Sequence, residues 1–220
     1  MKTGESLGSR LKRGVCCFGL SVVLPCPSVI EMAALAGYDF VRIDWEHALF
    51  GAIELRELLN TARLVGMPCQ VRVPELTMIT PLLGQEPAGI MVPHVESEKE
   101  ARAAVDACRF QPLGRRGMDG NTRRMRCEGM TRRTYMEYQQ ENLDIVVQIE
   151  SIPAMEKIDE ILSLDGGNWT CRFIPGTGFP RTEKSPGCAG GRGIYHKKGP
   201  GTWKTSHNRR RISGTGGAAV

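Results

Sequence analysis

Residues 37–50 read GYDFVRIDWEHALF. Gly37 ends an apolar-periodic stretch, Phe40–Ile43 make a short strand-like run, and the polar side chains of Asp44, Glu46 and His47 follow at once. Glycine accepts the left-handed backbone that closes a helix, so Gly37 predicts a stop for the helix before it. That helix is expected over Val29–Ala36, where apolar residues recur at helical spacing behind Pro27-Ser28. Downstream, Ile53, Leu55, Leu58, Leu59, Ala62 and Leu64 share one face of a second helix, closed by Gly66. A helix, a short strand and another helix with brief joints form the βαβ repeat of a parallel sheet.

The pattern extends in both directions. Strands are expected within Val15–Val23 and over Gln70–Val73, Gly89–Val92 and Ile145–Ile149. Helices are expected from Ser97 (SEKEARAAVDACRF), around Tyr135–Glu141 and over Pro153–Leu162. Ser97 with Glu100 three residues later is a capping-box pattern. The strands are short and apolar throughout, as strands covered on both faces are. Polar residues gather at their C-terminal ends, where an α/β barrel or a doubly wound sheet builds its site. No glycine fingerprint follows the first strand, which favours the barrel. The segment Arg109–Arg133 is basic and glycine-punctuated. It reads either as a solvated loop with its own arginine–carboxylate pairs or as a phosphate- or carboxylate-binding loop. Phe110 is its one aromatic, too few for a nucleic-acid groove.

Composition divides the chain. Apolar residues make up 41% and charged residues 24%, which excludes wholesale disorder and collagen-like repeats. The net charge of +5 splits into −4 over residues 1–166 and +9 over residues 167–220, and the latter carry 12 of the 26 glycines. Residues 1–166 therefore read as the folded part, and 167–220 as a basic, glycine-rich tail, disordered from about Ser185. No apolar run approaches the roughly 18 residues of a spanning helix. The N-terminal apolar stretch, broken by Pro25 and Pro27, is a poor signal sequence, so a cytoplasmic location is expected. Eight cysteines without a C-x-x-C pair read as small buried hydrophobes rather than disulfides or a zinc site.

The strand ends supply chemistry. Histidine is the side-chain type suited to moving a proton near neutrality, which makes His47 a candidate base, and Asp44 could orient its ring. Arg72 offers a fixed positive fork for oxyanion charge. Glu150 can hold a hard divalent cation, Mg²⁺ or Mn²⁺, which would polarise a 2-oxo acid carbonyl and stabilise its enolate. Each residue also has a structural reading: a hydrogen-bonded histidine, an arginine paired with Glu46 or Glu75, and a carboxylate capping the next helix. Their placement at the same end of successive strands favours a site.

GYDFVRIDWEHALF, VRVP, GIMVPHVES-x-x-x-A, RFQPLGRRG and VVQIES occur in that order between about Leu11 and Gly166. Together they resemble the HpcH/HpaI aldolase family, which includes the citrate lyase β-subunit-like proteins. The 4-hydroxy-2-oxoheptanedioate and 2-dehydro-3-deoxyglucarate aldolase branch is the most similar. The resemblance implies a TIM-type (β/α) barrel of the phosphoenolpyruvate/pyruvate-binding type. It also implies a class II, metal-dependent carbon–carbon lyase that cleaves a 4-hydroxy-2-oxo acid to pyruvate and an aldehyde. Carried over, the base falls on His47 with Asp44 as its partner, and the oxyanion-stabilising arginine on Arg72. The pyruvyl contact falls on Gln148 and the first metal carboxylate on Glu150. The implied partner is a small 2-oxo acid, with no membrane.

After about Gly166 the resemblance lapses. The family continues with a strand ending in a G-P-x-D-L-S-like motif, whose aspartate is the second metal ligand. Here the chain reads LDGGNWTCRFIPGTGFPRTEKSPG instead. Glu46 is the nearest stand-in by motif and is expected to pair with Arg72. The C-terminal helices that assemble the family's homo-oligomers have no counterpart, so the barrel is expected to be incomplete at its C-terminus. The jump in composition suggests a frameshifted or aberrantly joined reading frame. The alternative function is a non-catalytic partial barrel whose basic tail binds nucleic acid or acidic surfaces. Scattered tail charges and the lack of a binding motif disfavour nucleic acid.

Overall fold

The computed structural model describes residues 6–13, 15–120, 122–164, 169–173, 193–197 and 203–205, the last three segments as backbone only. Strands β1 (Gly19–Val22), β2 (Phe40–Asp44), β3 (Cys69–Arg72), β4 (Gly89–Val92), β5 (Asp144–Ile149) and β6 (Trp169–Phe173) pair in parallel, each beside its chain predecessor. This order lacks the reversal that marks a doubly wound sheet and is that of a (β/α) barrel. Two short strands, β7 (Gly193–Lys197) and β8 (Trp203–Thr205), continue the sheet in antiparallel fashion. Six parallel strands are thus described, against the eight of a closed barrel.

Helices α2 (Pro27–Leu35), α3 (Ala52–Leu64), α4 (Ile79–Leu83), α5 (Glu98–Cys108), α8 (Ile152–Glu156) and α9 (Ile158–Ser163) follow their strands on one face of the sheet. Alternation along each strand produces the layers. Val41, Ile43, Val71, Ile90, Val92, Ile145, Val147 and Ile149 meet Ile30, Leu55, Leu58, Leu82, Val105 and Ile161 of the helices in one core. The opposite face carries the polar positions between them, among them Gln70, Arg72, Asp144 and Gln148. Gln70 Nε2 donates to the buried Asp144 Oδ2 at 2.6 Å. Helix α1 (Leu7–Lys12) sets Leu7 and Leu11 against Phe40, covering the end of the sheet away from the polar strand ends. Gly19 lies opposite Phe40 in register, and a Cβ there would sit 2.3 Å from the ring.

Several local expectations change. Ser97 caps α5, its Oγ accepting the Glu100 N–H, but the Glu100 carboxylate reaches Glu96 N–H rather than Ser97. The single helix expected over Pro153–Leu162 breaks at Lys157 into α8 and α9. Within Arg109–Arg133 the structure forms α6 (Arg123–Cys127), and α7 spans Arg132–Asn142. The binding-loop reading gives way here, because these arginines are engaged by the protein itself. Buried Arg109 donates to the carbonyls of Gln139, Gln140 and Leu143 at the end of α7, and Arg116 lies over the Phe110 ring. Arg115 pairs with Asp106, while Arg123 and Arg124 pair with Glu128.

The cysteine reading is corrected in part. Cys69 and Cys108 are buried, and burial pushes both thiols up to about 12, but Cys16, Cys26 and Cys127 are exposed. All six cysteines with described side chains are free. Among the described residues no helix is long and apolar enough to cross a membrane. The expectations of a disordered tail and of a break after residue 166 fall outside the described residues, apart from the backbone of β6–β8.

Candidate active site

Four consecutive strands bring their C-terminal ends together. Asp44 ends β2 and stands in register with Arg72, which ends β3. Gln148 lies in β5, and Glu150 is the first residue beyond it. Glu46 and His47 occupy the turn after β2, and His94 the turn after β4.

Asp44 anchors the cluster. Its Oδ1 accepts from Arg72 Nε at 3.0 Å and from the backbone N–H groups of Glu46 and His47 at 3.2 Å each, while Oδ2 takes Arg72 Nη2. Burial alone would raise this carboxyl's pKa. The Arg72 and His47 N–H hydrogen bonds, with the charge of Arg72, outweigh it and hold Asp44 below the usual carboxylate range. Asp44 is therefore ionised at neutral pH. It does not orient the His47 ring, as was expected, because the turn after β2 wraps backbone amides around the carboxylate and sends the ring outward. The His47 ring is exposed, with Nε2 3.5 Å from Glu46 Oε2.

Arg72 spans the site. Beyond Asp44, its Nη1 lies 3.1 Å from Glu46 Oε2 and 3.4 Å from Gln148 Oε1. Glu46 is mostly buried, and its Oε2 accepts no well-aligned hydrogen bond. Gln148 Nε2 in turn approaches Glu150 Oε1 at 3.5 Å. The five residues named from the sequence, Asp44, His47, Arg72, Gln148 and Glu150, thus lie on one strand-end rim.

Sequence reasoning missed His94. Its backbone is left-handed (φ +53°), and its N–H donates to Glu150 Oε2 at 3.2 Å. The exposed ring bridges two carboxylates, with Nε2 2.9 Å from Glu46 Oε1 and Nδ1 3.0 Å from Glu150 Oε2. A histidine just past the GIMV strand satisfied the same strand-end rule that singled out the others.

Among the described residues no three His, Cys, Asp or Glu side chains converge on a point that would hold a metal ion. Two donors do fit one: Glu150 Oε2 and His94 Nδ1 are 3.0 Å apart. Neighbouring ligands of an octahedral cation with bonds of about 2.1 Å also stand about 3.0 Å apart, and Mg²⁺ commonly takes only one or two protein carboxylates, leaving its other positions to water and substrate.

The sequence profile of the HpcH/HpaI aldolase/citrate lyase family matches residues 18–171. The chain belongs to that family. A hydroxypyruvate/pyruvate aldolase from Sagittula stellata is 32% identical over 158 residues, which are 71% of this chain and 62% of the relative. A 4-hydroxy-4-methyl-2-oxoglutarate aldolase from Hapsidospora irregularis is 32% identical over 169 residues, 73% of this chain and 61% of the relative. The crystal structure of an HpcH/HpaI aldolase from Desulfitobacterium hafniense superposes with a TM-score of 0.70 at 28% identity, covering 78% of this chain and 67% of that one. The chain spans about three fifths of the length of these two curated relatives. The family match reaches into β6, so the first six strand positions, and every site residue described above, lie within it.

Proposed function

We propose that this chain is a class II aldolase that cleaves a 4-hydroxy-2-oxo acid to pyruvate and an aldehyde. The observation that carries this reading is Arg72, held between Asp44, Glu46 and Gln148 at the mouth of the strands, with His47 on one flank and Glu150 on the other.

Cleavage removes the proton from the C4 hydroxyl, breaks the C3–C4 bond, and leaves the electron pair on the pyruvyl unit as an enolate, which is then protonated at C3. His47 takes and returns the proton, since its ring is exposed at the rim, beside Glu46. Arg72 stabilises negative charge growing on the C2 oxygen. The Asp44 carboxylate fixes the guanidinium by two bonds, so it needs little rearrangement during the reaction. Gln148 orients the pyruvyl group. Glu150 would hold Mg²⁺ or Mn²⁺, which when bound polarises the 2-oxo carbonyl. Asp44 acts as a positioning residue for Arg72.

The test is incubation of the purified full chain with a 4-hydroxy-2-oxo acid, with and without Mg²⁺ or Mn²⁺, coupled to pyruvate detection. Metal-stimulated pyruvate release is expected, and release no faster than in a protein-free control containing the metal contradicts the reading.

A further inference from the structure

We infer that the cavity between α3, α4, α6 and the loop Arg116–Asp119 binds the phosphate group of a small phosphorylated metabolite, held by Arg63, Arg116 and Arg126. The cavity lies among the helices, shares no residue with the strand-end rim, and does not depend on the chemistry proposed there.

Its volume is about 660 Å³, room for a small metabolite and more than a bare ion needs. The lining holds four arginines and one carboxylate, Asp119. One of the four is matched from outside the cavity. Arg123 pairs with Glu128 at 3.2 Å, and its neighbour Arg124 stands 3.7 Å from Glu86 and 2.6 Å from Glu128, so two arginines share two carboxylates. Among the described residues no carboxylate lies within ion-pair distance of Arg63, Arg116 or Arg126. Set against Asp119, these three leave the lining with two unmatched positive charges. A phosphate monoester carries about −1.5 to −2 at pH 7.

Neutral partners hold two of these guanidiniums in place. Half-buried Arg63 donates through Nη1 to Asn60 Oδ1 at 2.8 Å and through Nη2 to the Gln85 carbonyl at 2.7 Å. Half-buried Arg116 donates through Nη1 to Gln139 Oε1 at 3.1 Å and through Nη2 to Tyr135 Oη at 3.3 Å, with its guanidinium 4.6 Å from the centre of the Phe110 ring. Such partners fix a fork without cancelling its charge. Burial pushes both guanidinium pKa values down, and the nearby charge of Arg123 lowers that of Arg63 further. A buried cation without a counter-charge costs free energy, which a bound anion would offset. Arginine forks also match the geometry of phosphate oxygens, two N–H groups to two oxygens. Helix α6 adds Arg126, whose side chain is exposed.

Calorimetric titration of the full chain with ribose 5-phosphate, ribose and inorganic phosphate tests this, in the wild type and in Arg63→Gln, Arg126→Gln and Arg133→Gln. Arg133 is exposed, pairs with Glu137 and lies outside the cavity, so its substitution removes an equal charge elsewhere. The wild type is expected to bind ribose 5-phosphate, more tightly than inorganic phosphate, and not ribose. Arg63→Gln and Arg126→Gln should each weaken binding about 10–100-fold, as loss of a charge-assisted hydrogen bond does, while Arg133→Gln stays within about twofold of the wild type. Arg126 makes no side-chain contact to another described residue, so a loss in Arg126→Gln does not reflect unfolding. Saturating pyruvate should leave binding unchanged. Absence of ribose 5-phosphate binding, binding indifferent to Arg63 and Arg126, or an equal loss in Arg133→Gln overturns the inference. Displacement by pyruvate places the anion at the strand-end rim and overturns it too. Inorganic phosphate binding as tightly as ribose 5-phosphate overturns the assignment of an organic ligand.

Discussion

Asp44 connects electrostatics to folding at the scale of one residue. Its folded pKa lies below the ordinary value of 3.8, so its ionised form stabilises the fold at neutral pH, and that contribution disappears as pH falls through the shifted value. Asp44→Asn should therefore lower stability at pH 7, by about 1–2 kcal/mol, because the largely buried Arg72 guanidinium keeps Glu46 as its remaining charge partner. The gap between the two proteins should begin to narrow below about pH 4, where the unfolded wild type takes up the proton before the folded one does. Urea midpoints at pH 7 and pH 3 measure it, and a gap of constant size contradicts the account. The same residue shows what sequence could and could not convey. That Asp44, Arg72, Gln148 and Glu150 share one rim follows from strand polarity, which apolar runs and glycine stops make visible. Which oxygen meets which nitrogen depends on turn geometry. Two backbone amides claim the Asp44 oxygen that was expected to orient His47, and a left-handed His94 enters the site with no periodicity to announce it.

Elements are governed here by a few packed side chains. Arg109 holds the C-terminal end of α7 through three backbone carbonyls, an arrangement hidden in a sequence where it begins a basic loop. Helix-end carbonyls need partners, and burial excludes water from serving. Arg109→Met should cost about 3 kcal/mol, read as a lowered urea midpoint with unchanged slope, and a loss below about 1 kcal/mol would show that α7 ends without it. Gly19 works by absence. Any Cβ there meets the Phe40 ring, which cannot retreat without displacing Leu7 and Leu11 of α1. Gly19→Ala should destabilise by about 1–3 kcal/mol, and early proteolysis within α1 should accompany it. A variant as stable as the wild type would mean that the packing of α1 on Phe40 is loose. Helix α1 escaped sequence analysis because its apolar face is two leucines wide, too little for a periodic signal. The shorter α4 and α6 escaped it for the same reason.

The whole molecule joins a family core to a tail of different composition. Residues 18–171 follow the family, and the charge changes sign near residue 166, within a chain that spans about three fifths of two curated relatives. We propose a shifted reading frame at that junction. It predicts that translation of the coding DNA beyond codon 166 in another frame yields a G-P-x-D-L-S-like stretch, and finding none in either frame refutes it. The fold class was legible because every βα unit repeats one pattern, whereas the antiparallel β7 and β8 lie in glycine-rich sequence with no such alternation. The proposed function requires that the strand-end rim of this chain enolise a pyruvyl unit. Exchange of the pyruvate methyl protons for deuterium in D₂O, followed by NMR with Mg²⁺ present, tests it directly and requires no choice of aldehyde. Exchange well above a protein-free control with the same metal is expected, reduced about 10²–10⁴-fold in a folded His47→Ala variant. Wild-type exchange no faster than the control, or exchange indifferent to His47, would contradict it.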